Sequence, residues 1–170
     1  MTAAVPEAVQ RRATAVRLAV FDVDGVMTDG RLYYDEAGRE LKAFFTQDGL
    51  GLKHLMRAGT LVGIITGRDN PIVNHRMAEL GITRLVAGCD DKGPALAAMA
   101  DDAGVELSET AYVGDDLIDV PALERAGLAI SVPNAHASAL AVAHWVTPRP
   151  GGSGAVRDVC DLIMPTGAAG

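Results

Sequence analysis

The strongest constraint on this chain is a repeating order of short apolar runs, each closed by a polar or glycine turn and followed by a helical stretch. The runs lie at 17–20, 61–66, 82–87 and 110–114. Runs this short and this apolar predict strands buried on both faces, as in a parallel sheet. Between them, 48–58, 70–80 and 91–103 carry helix signals, with Gly59 and Gly81 as stops and Pro71 near the first turn of the second. Helix, strand, helix and strand continue the order to about Thr147. Residues 1–16 predict a short leading helix. One segment breaks the alternation: 31–34 and 40–45 flank the turn-like Asp35-Glu36-Ala37-Gly38 and predict a β-hairpin. A Pro/Gly loop at 148–154, suited to a flexible lead rather than a packed element, leads to a last helix at about 155–164. The expectation is an α/β fold, a parallel sheet with helices on both faces, in one domain over residues 1–170.

Composition narrows the function classes. Hydrophobic residues make up 49% of 170, too many for a disordered chain. A net charge of −7 argues against a nucleic-acid backbone as partner, though not against a small phosphorylated molecule. No apolar run approaches membrane-spanning length. Cys89 and Cys160 stand far apart in sequence, which suggests free thiols and a reducing cytoplasm. His54, His75, His136 and His144 show no metal-ligand spacing.

The chemistry concentrates at strand ends. Phe21-Asp22-Val23-Asp24-Gly25 closes the first run. Alternation along a strand sends Asp22 and Asp24 the same way, at the end of the sheet where ligands of open α/β folds bind. Two adjacent carboxylates repel, and a hard cation such as Mg²⁺ would hold them ionised. One can then act as nucleophile and the other as general acid and base. Thr66-Gly67-Arg68 ends the second run, where a hydroxyl and free amides can cradle a phosphoryl oxygen; a Thr before Gly is also a common helix cap. Lys92 opens the third helix and can neutralise a phosphate. Gly114-Asp115-Asp116-Leu117-Ile118-Asp119 ends the fourth run. Asp115 can share a metal with Asp22. Asp116 reads as an orienting residue or an N-cap, and Asp119 as a partner for Lys92 or an exposed helix residue.

This ordered set, Asp-x-Asp, Thr, Lys and Gly-Asp-Asp, resembles the haloacid dehalogenase superfamily of phosphotransferases from Leu18 to about Met164. The resemblance implies a Rossmann-like sheet. It implies that Asp22 is the nucleophile forming an aspartyl phosphate and that Asp24 is first general acid, then base. Mg²⁺ would be held by Asp22, Asp115 and the backbone carbonyl of Asp24, with Thr66 and Lys92 on the phosphoryl oxygens. Neither cap insertion point has room for a cap domain, so the site is expected to be closed by a large substrate or a neighbouring subunit. The hairpin, about 30–45, is the candidate flap. Four of the six Phe and Tyr residues lie on it, Tyr33, Tyr34, Phe44 and Phe45, on both of its faces.

More closely, the chain resembles the 3-deoxy-D-manno-octulosonate 8-phosphate phosphatases. Asp22–Gly30 with the hairpin, Gln47-Asp48-Gly49-Leu50-Gly51, Ile65-Thr66-Gly67-Arg68, Gly114–Asp119 and Gly151–Cys160 carry the likeness. That family implies a sugar-acid phosphate substrate, a homotetramer built on the hairpins, a role in lipopolysaccharide synthesis, and a C-terminal tail, here about 148–170, reaching an adjacent site. Gly67, Arg68 and Arg157 are then the candidate substrate-binding residues, Arg157 for the sugar carboxylate. Many members read Asn-Val-Arg before the Asp-Gly pair, whereas this chain has Phe45-Thr46-Gln47. A nonulosonate 9-phosphate phosphatase would share the same core. A receiver-type signalling domain also combines acids, Thr and Lys, but places its phosphoacceptor on a middle strand.

Overall fold

In the computed structural model, residues 4–164 are described. Six parallel strands form one sheet in the order β5-β4-β1-β6-β7-β8. These are β1 Leu18–Phe21, β4 Leu61–Ile65, β5 Arg84–Val86, β6 Thr110–Val113, β7 Leu128–Ser131 and β8 Trp145–Val146. The chain leaves β1 toward β4 and β5, then returns to build β6, β7 and β8 on the other side. The strand order reverses at β1, and that reversal opens a crevice at its carboxyl end. The α/β expectation holds in every layer.

Strand alternation divides the core. Ala19, Phe21, Ile64, Ala111, Val113, Leu128 and Ile130 face a cluster completed by α1 (Glu7–Thr14), α2 (Thr46–Arg57), α3 (Pro71–Leu80) and α7 (Ala155–Ile163). Leu18, Val20, Ile65, Tyr112 and Ala129 face the other way, onto α4 (Lys92–Asp102), α5 (Val120–Leu123) and α6 (Ala137–Val142). These faces dominate the energetics. Truncating a buried leucine such as Leu55 costs about 2–5 kcal/mol, whereas an exposed pair such as Arg11–Glu7 supplies a few tenths. Cys160 is fully buried in the first cluster, and burial holds its thiol well above the ordinary range. His136 and His144 each use Nδ1 to accept a backbone N–H. No helix among the described residues is long and apolar enough to cross a membrane.

Two expectations change. The hairpin pairs over only two residues a side, β2 Tyr33–Tyr34 with β3 Glu40–Leu41. The 148–154 loop, rich in Gly and Pro, read as a flexible lead but is packed. Gly151 is buried, and a Cβ there would stand 1.8 Å from the Gly25 carbonyl oxygen. Its N–H donates to Asn134 Oδ1 (2.8 Å), Asn134 Nδ2 donates to the Gly25 carbonyl (2.9 Å), and Gly152 N–H donates to the Val26 carbonyl (3.1 Å). Small residues here permit contact rather than motion. The expected tail beyond 164 lies outside the described residues.

Candidate active site

Every predicted strand-end residue arrives at the same edge of the sheet. Asp22 directly follows β1, Asp115 follows β6 by one residue, and Thr66 follows β4. Lys92 is the first residue of α4 and is fully buried. Its Nζ lies 2.8 Å from Asp22 Oδ1 and 2.7 Å from Asp119 Oδ1. Phe21 sits opposite Ile64 and Val113 in the sheet, so the turns carrying Asp22, Thr66 and Asp115 stand side by side. Thr66 is buried, and its hydroxyl accepts the Arg68 N–H at 3.4 Å. Gly67 lies next to Ile118. The insertion points hold only the hairpin and α2 on one side and α3 and β5 on the other, so no cap domain covers the edge.

Asp22, Asp115 and Asp119 bring carboxylate oxygens within 4.8 Å of one another, as a metal site requires. They do not have equal capacity to ligate. Asp119 Oδ1 accepts from Lys92 Nζ and from the Tyr112 hydroxyl (2.7 Å), and Oδ2 accepts from the N–H groups of Asp115 and Asp116 (3.0 Å each). Four donors exhaust a carboxylate's lone pairs, so Asp119 orients Lys92 and the Gly114-Asp115 turn. Tyr112, which sequence reasoning missed, completes this support. Asp116 is exposed and acts as an N-cap, accepting the Leu117 N–H at 2.7 Å.

Asp22 and Asp115 remain for a cation, and the charge balance asks for one. Three carboxylates face a single ammonium. Burial pushes the Asp22 carboxyl well above its ordinary range, the Asp119 charge adds to this, and Lys92 opposes both without prevailing. Burial, then Asp119 and Asp116, push Asp115 up to about 7. Lys92 itself is held above the usual lysine range: burial opposes its charge, but the two carboxylates outweigh it. The backbone fits the same purpose. Gly25 has φ of +90°, and a Cβ there would fall 1.9 Å from Asp115 Oδ2. The turn after Asp24 therefore lies directly against the Asp115 carboxylate, and only glycine allows that approach. An all-oxygen donor set of this kind suits a hard divalent cation.

The flap supplies residues that sequence reasoning did not find. The Lys42 side chain is 1% exposed and pairs with both Asp24 Oδ1 and Glu40 (3.0 Å). Glu40 in turn accepts two bonds from Arg68 (3.0 and 2.7 Å) and one from Asn70 (3.0 Å). Arg68 therefore reaches the site edge already engaged by the flap. A signal was available: Glu40, Lys42 and Phe44 alternate, so they share one face of an extended segment. Phe44 packs onto the core with Arg76 over its ring, while Leu41 on the other face is 56% exposed.

Arg157 is the candidate that the structure does not bring to this cluster. Its Nε pairs with Asp161 at 2.7 Å, and its side chain lies against Gly51 on α2. Its N–H donates to Asp48 Oδ1 at 2.9 Å, so Asp48 caps α7 from the neighbouring helix. Among the described residues, none of its bonds reaches Asp22, Asp24 or Asp115.

A haloacid dehalogenase-like hydrolase family matches residues 82–157. The 3-deoxy-D-manno-octulosonate 8-phosphate phosphatase KdsC of Yersinia pestis is 44% identical over 160 residues, covering 94% of this chain and 86% of that protein. The phosphatase of the same name from Moraxella catarrhalis, solved with magnesium, phosphate and KDO, superposes with a TM-score of 0.89 at 46% identity, over 91% of this chain and 89% of that one. A cobalt-bound deoxy-D-mannose-octulosonate 8-phosphate phosphatase from Haemophilus influenzae gives 0.86 at 39% identity, over 89% of each chain. Within the haloacid dehalogenase-like hydrolases, this chain belongs to the family of 3-deoxy-D-manno-octulosonate 8-phosphate phosphatases. It is an enzyme, a phosphoric monoester hydrolase. A receiver-domain reading is set aside with that assignment.

Proposed function

We propose that the chain hydrolyses 3-deoxy-D-manno-octulosonate 8-phosphate to the free sugar acid and phosphate through an aspartyl phosphate on Asp22. The observation that carries this is the buried Asp22–Lys92 pair beside Asp115 and the Gly25 turn. It sits in a chain whose relatives are named for that reaction. Asp22 Oδ attacks phosphorus, a new P–O bond forms, and the sugar P–O bond breaks. Asp24 gives its proton to the departing alkoxide. Water then attacks the aspartyl phosphate and Asp24 takes its proton, so phosphate leaves and Asp22 is restored. Lys92, with the Thr66 hydroxyl and the amides of Gly67 and Arg68, offsets charge on the phosphoryl oxygens. Mg²⁺, held by Asp22, Asp115 and the Asp24 carbonyl, would add Lewis-acid stabilisation of the same oxygens.

On this reading the product feeds lipopolysaccharide synthesis in the cytoplasm. The enzyme is a homo-oligomer, a tetramer by its family, because Leu32, Tyr33, Tyr34 and Leu41 present an exposed apolar flap. The test is phosphate release with Mg²⁺ from a panel of sugar phosphates. A kcat/KM for the octulosonate 8-phosphate at least tenfold above that for nonulosonate 9-phosphates supports the assignment, and the reverse order overturns it.

A further inference from the structure

Lys42 is an anomaly on its element. Its neighbours on the flap, Leu41 and Ala43, are exposed, yet its own side chain is almost wholly enclosed. Burying an ammonium and freezing its four-carbon stem is costly, and only close counter-charges offset it. Two are present: Asp24 across the site and Glu40 on its own strand. Glu40 is itself fixed by Arg68 and Asn70, so the flap docks onto the site edge through a closed set of bonds. Burial would lift the Glu40 carboxyl, but Lys42 and Arg68 hold it below its ordinary range.

We propose that Lys42 is the positioning residue for the proton donor: by holding Asp24 Oδ1 it fixes the carboxyl and leaves Oδ2 to carry the proton. This rests on the role given to Asp24 above. An ammonium only donates, and a carboxyl oxygen accepts in either protonation state, so Lys42 can hold Oδ1 whether or not Asp24 carries a proton. In the first step the proton on Oδ2 passes to the departing alkoxide as the P–O bond breaks. In the second, Oδ2 takes a proton from the attacking water. Lys42 keeps its own protons throughout, and its ion pairs are with Asp24 and Glu40 rather than with the carboxylates of Asp22 and Asp115. The flap therefore contributes to the chemistry as well as to the contact surface.

The experiment compares leaving groups. An alkoxide needs a proton to leave, whereas p-nitrophenolate does not, and kcat/KM reports the phosphorylation of Asp22 alone. Lys42→Met should lower kcat/KM for the sugar-acid phosphate by about 10–100-fold, a fraction of the full general-acid effect. It should change kcat/KM for p-nitrophenyl phosphate less than about threefold, and the sugar-phosphate loss should fall on kcat rather than KM. Lys42→Arg, which keeps a charged donor, should recover most of the difference. Should Lys42→Met fail to fold, Lys42→Gln carries the same comparison. Equal losses on both substrates, or none on either, overturn the proposal. If the wild-type enzyme cleaves neither ester, the phosphatase reading itself has failed, a result distinct from both.

Discussion

The proposed mechanism asks Asp22 to be buried, ionised and nucleophilic at once, and its surroundings satisfy these demands only jointly. Lys92 supplies one charge, but burial and Asp119 still press a proton onto the carboxyl. Asp22→Asn removes the nucleophile and relieves the repulsion. Phosphate release should fall by roughly 10⁴ or more, while the melting temperature in chelator holds or rises. Residual activity within tenfold of wild type would place the nucleophile elsewhere. Asp48 gives a second residue-scale prediction. Burial pushes it up to about 6, and its Oδ2 is buried without a partner while Oδ1 caps α7. A folded value above the unfolded one means the native state binds the proton more tightly. Stability from this group is thus present at low pH and declines as pH rises from about 4 to about 6. Asp48→Asn keeps the cap and avoids the buried charge. It should gain roughly 1–2 kcal/mol over wild type at pH 7.5 and little at pH 4.5, by paired denaturant titrations. An equal difference at both values would show that ionisation is not the cause. The meeting of Asp22, Asp115, Thr66 and Lys92 at one sheet edge was legible because strand ends give polar residues a fixed address. Lys42 and Tyr112 were not, because a lysine on a flap and a tyrosine in a core strand look ordinary until their partners are known.

Among the elements, the flap differs most from its sequence reading. Its strands are shorter than the pattern predicts, because a two-stranded ribbon without a third strand keeps few ladder bonds. Its register is fixed by Phe44 and by the Lys42 and Glu40 pairs on one face, which leaves Tyr33 and its cross-strand partner Leu41 exposed on the other. If subunits meet there, a charge on that face is disruptive. Leu41→Asp should shift sedimentation from an oligomer toward the 17.7 kDa monomer without lowering the melting temperature of the isolated chain. A wild-type protein that sediments as a monomer at micromolar concentration would remove the basis for this contact. Apolar spacing, Pro71 and Gly81 place α2, α3, α4 and α7 to within two residues at each end, whereas α1 is shorter than the 1–16 stretch, running from Glu7 to Thr14. The 148–154 loop was misread because glycine signals freedom and close approach equally, and only the packed partner separates the two.

For the whole molecule, the site and its cation are linked through protons. Asp115 at about 7 and the raised Asp22 must lose protons to ligate, so metal and protons compete. The Mg²⁺ affinity, read by calorimetry, should weaken about tenfold or more between pH 8 and pH 6, and Asp115→Asn should abolish most of it. Binding that ignores pH, or survives Asp115→Asn, would place the cation elsewhere.

The clasp formed by Asn134, Gly151 and Gly152 around Gly25 and Val26 has a further consequence. It ties the turn after Asp24 to the lead-in of the last helix, and α7 packs on α2 behind it. The turn after β1 and the last helix are therefore expected to open as one cooperative unit. The amides of Gly151 and Gly152 lie in a loop of glycine and proline, where exchange with solvent is ordinarily fast. Here they should exchange only on the timescale of the central strands, through the same opening event. Deuterium uptake at the two glycines within seconds would show the loop opening alone. Uptake in step with β1 would make the last helix a keeper of the active-site turn.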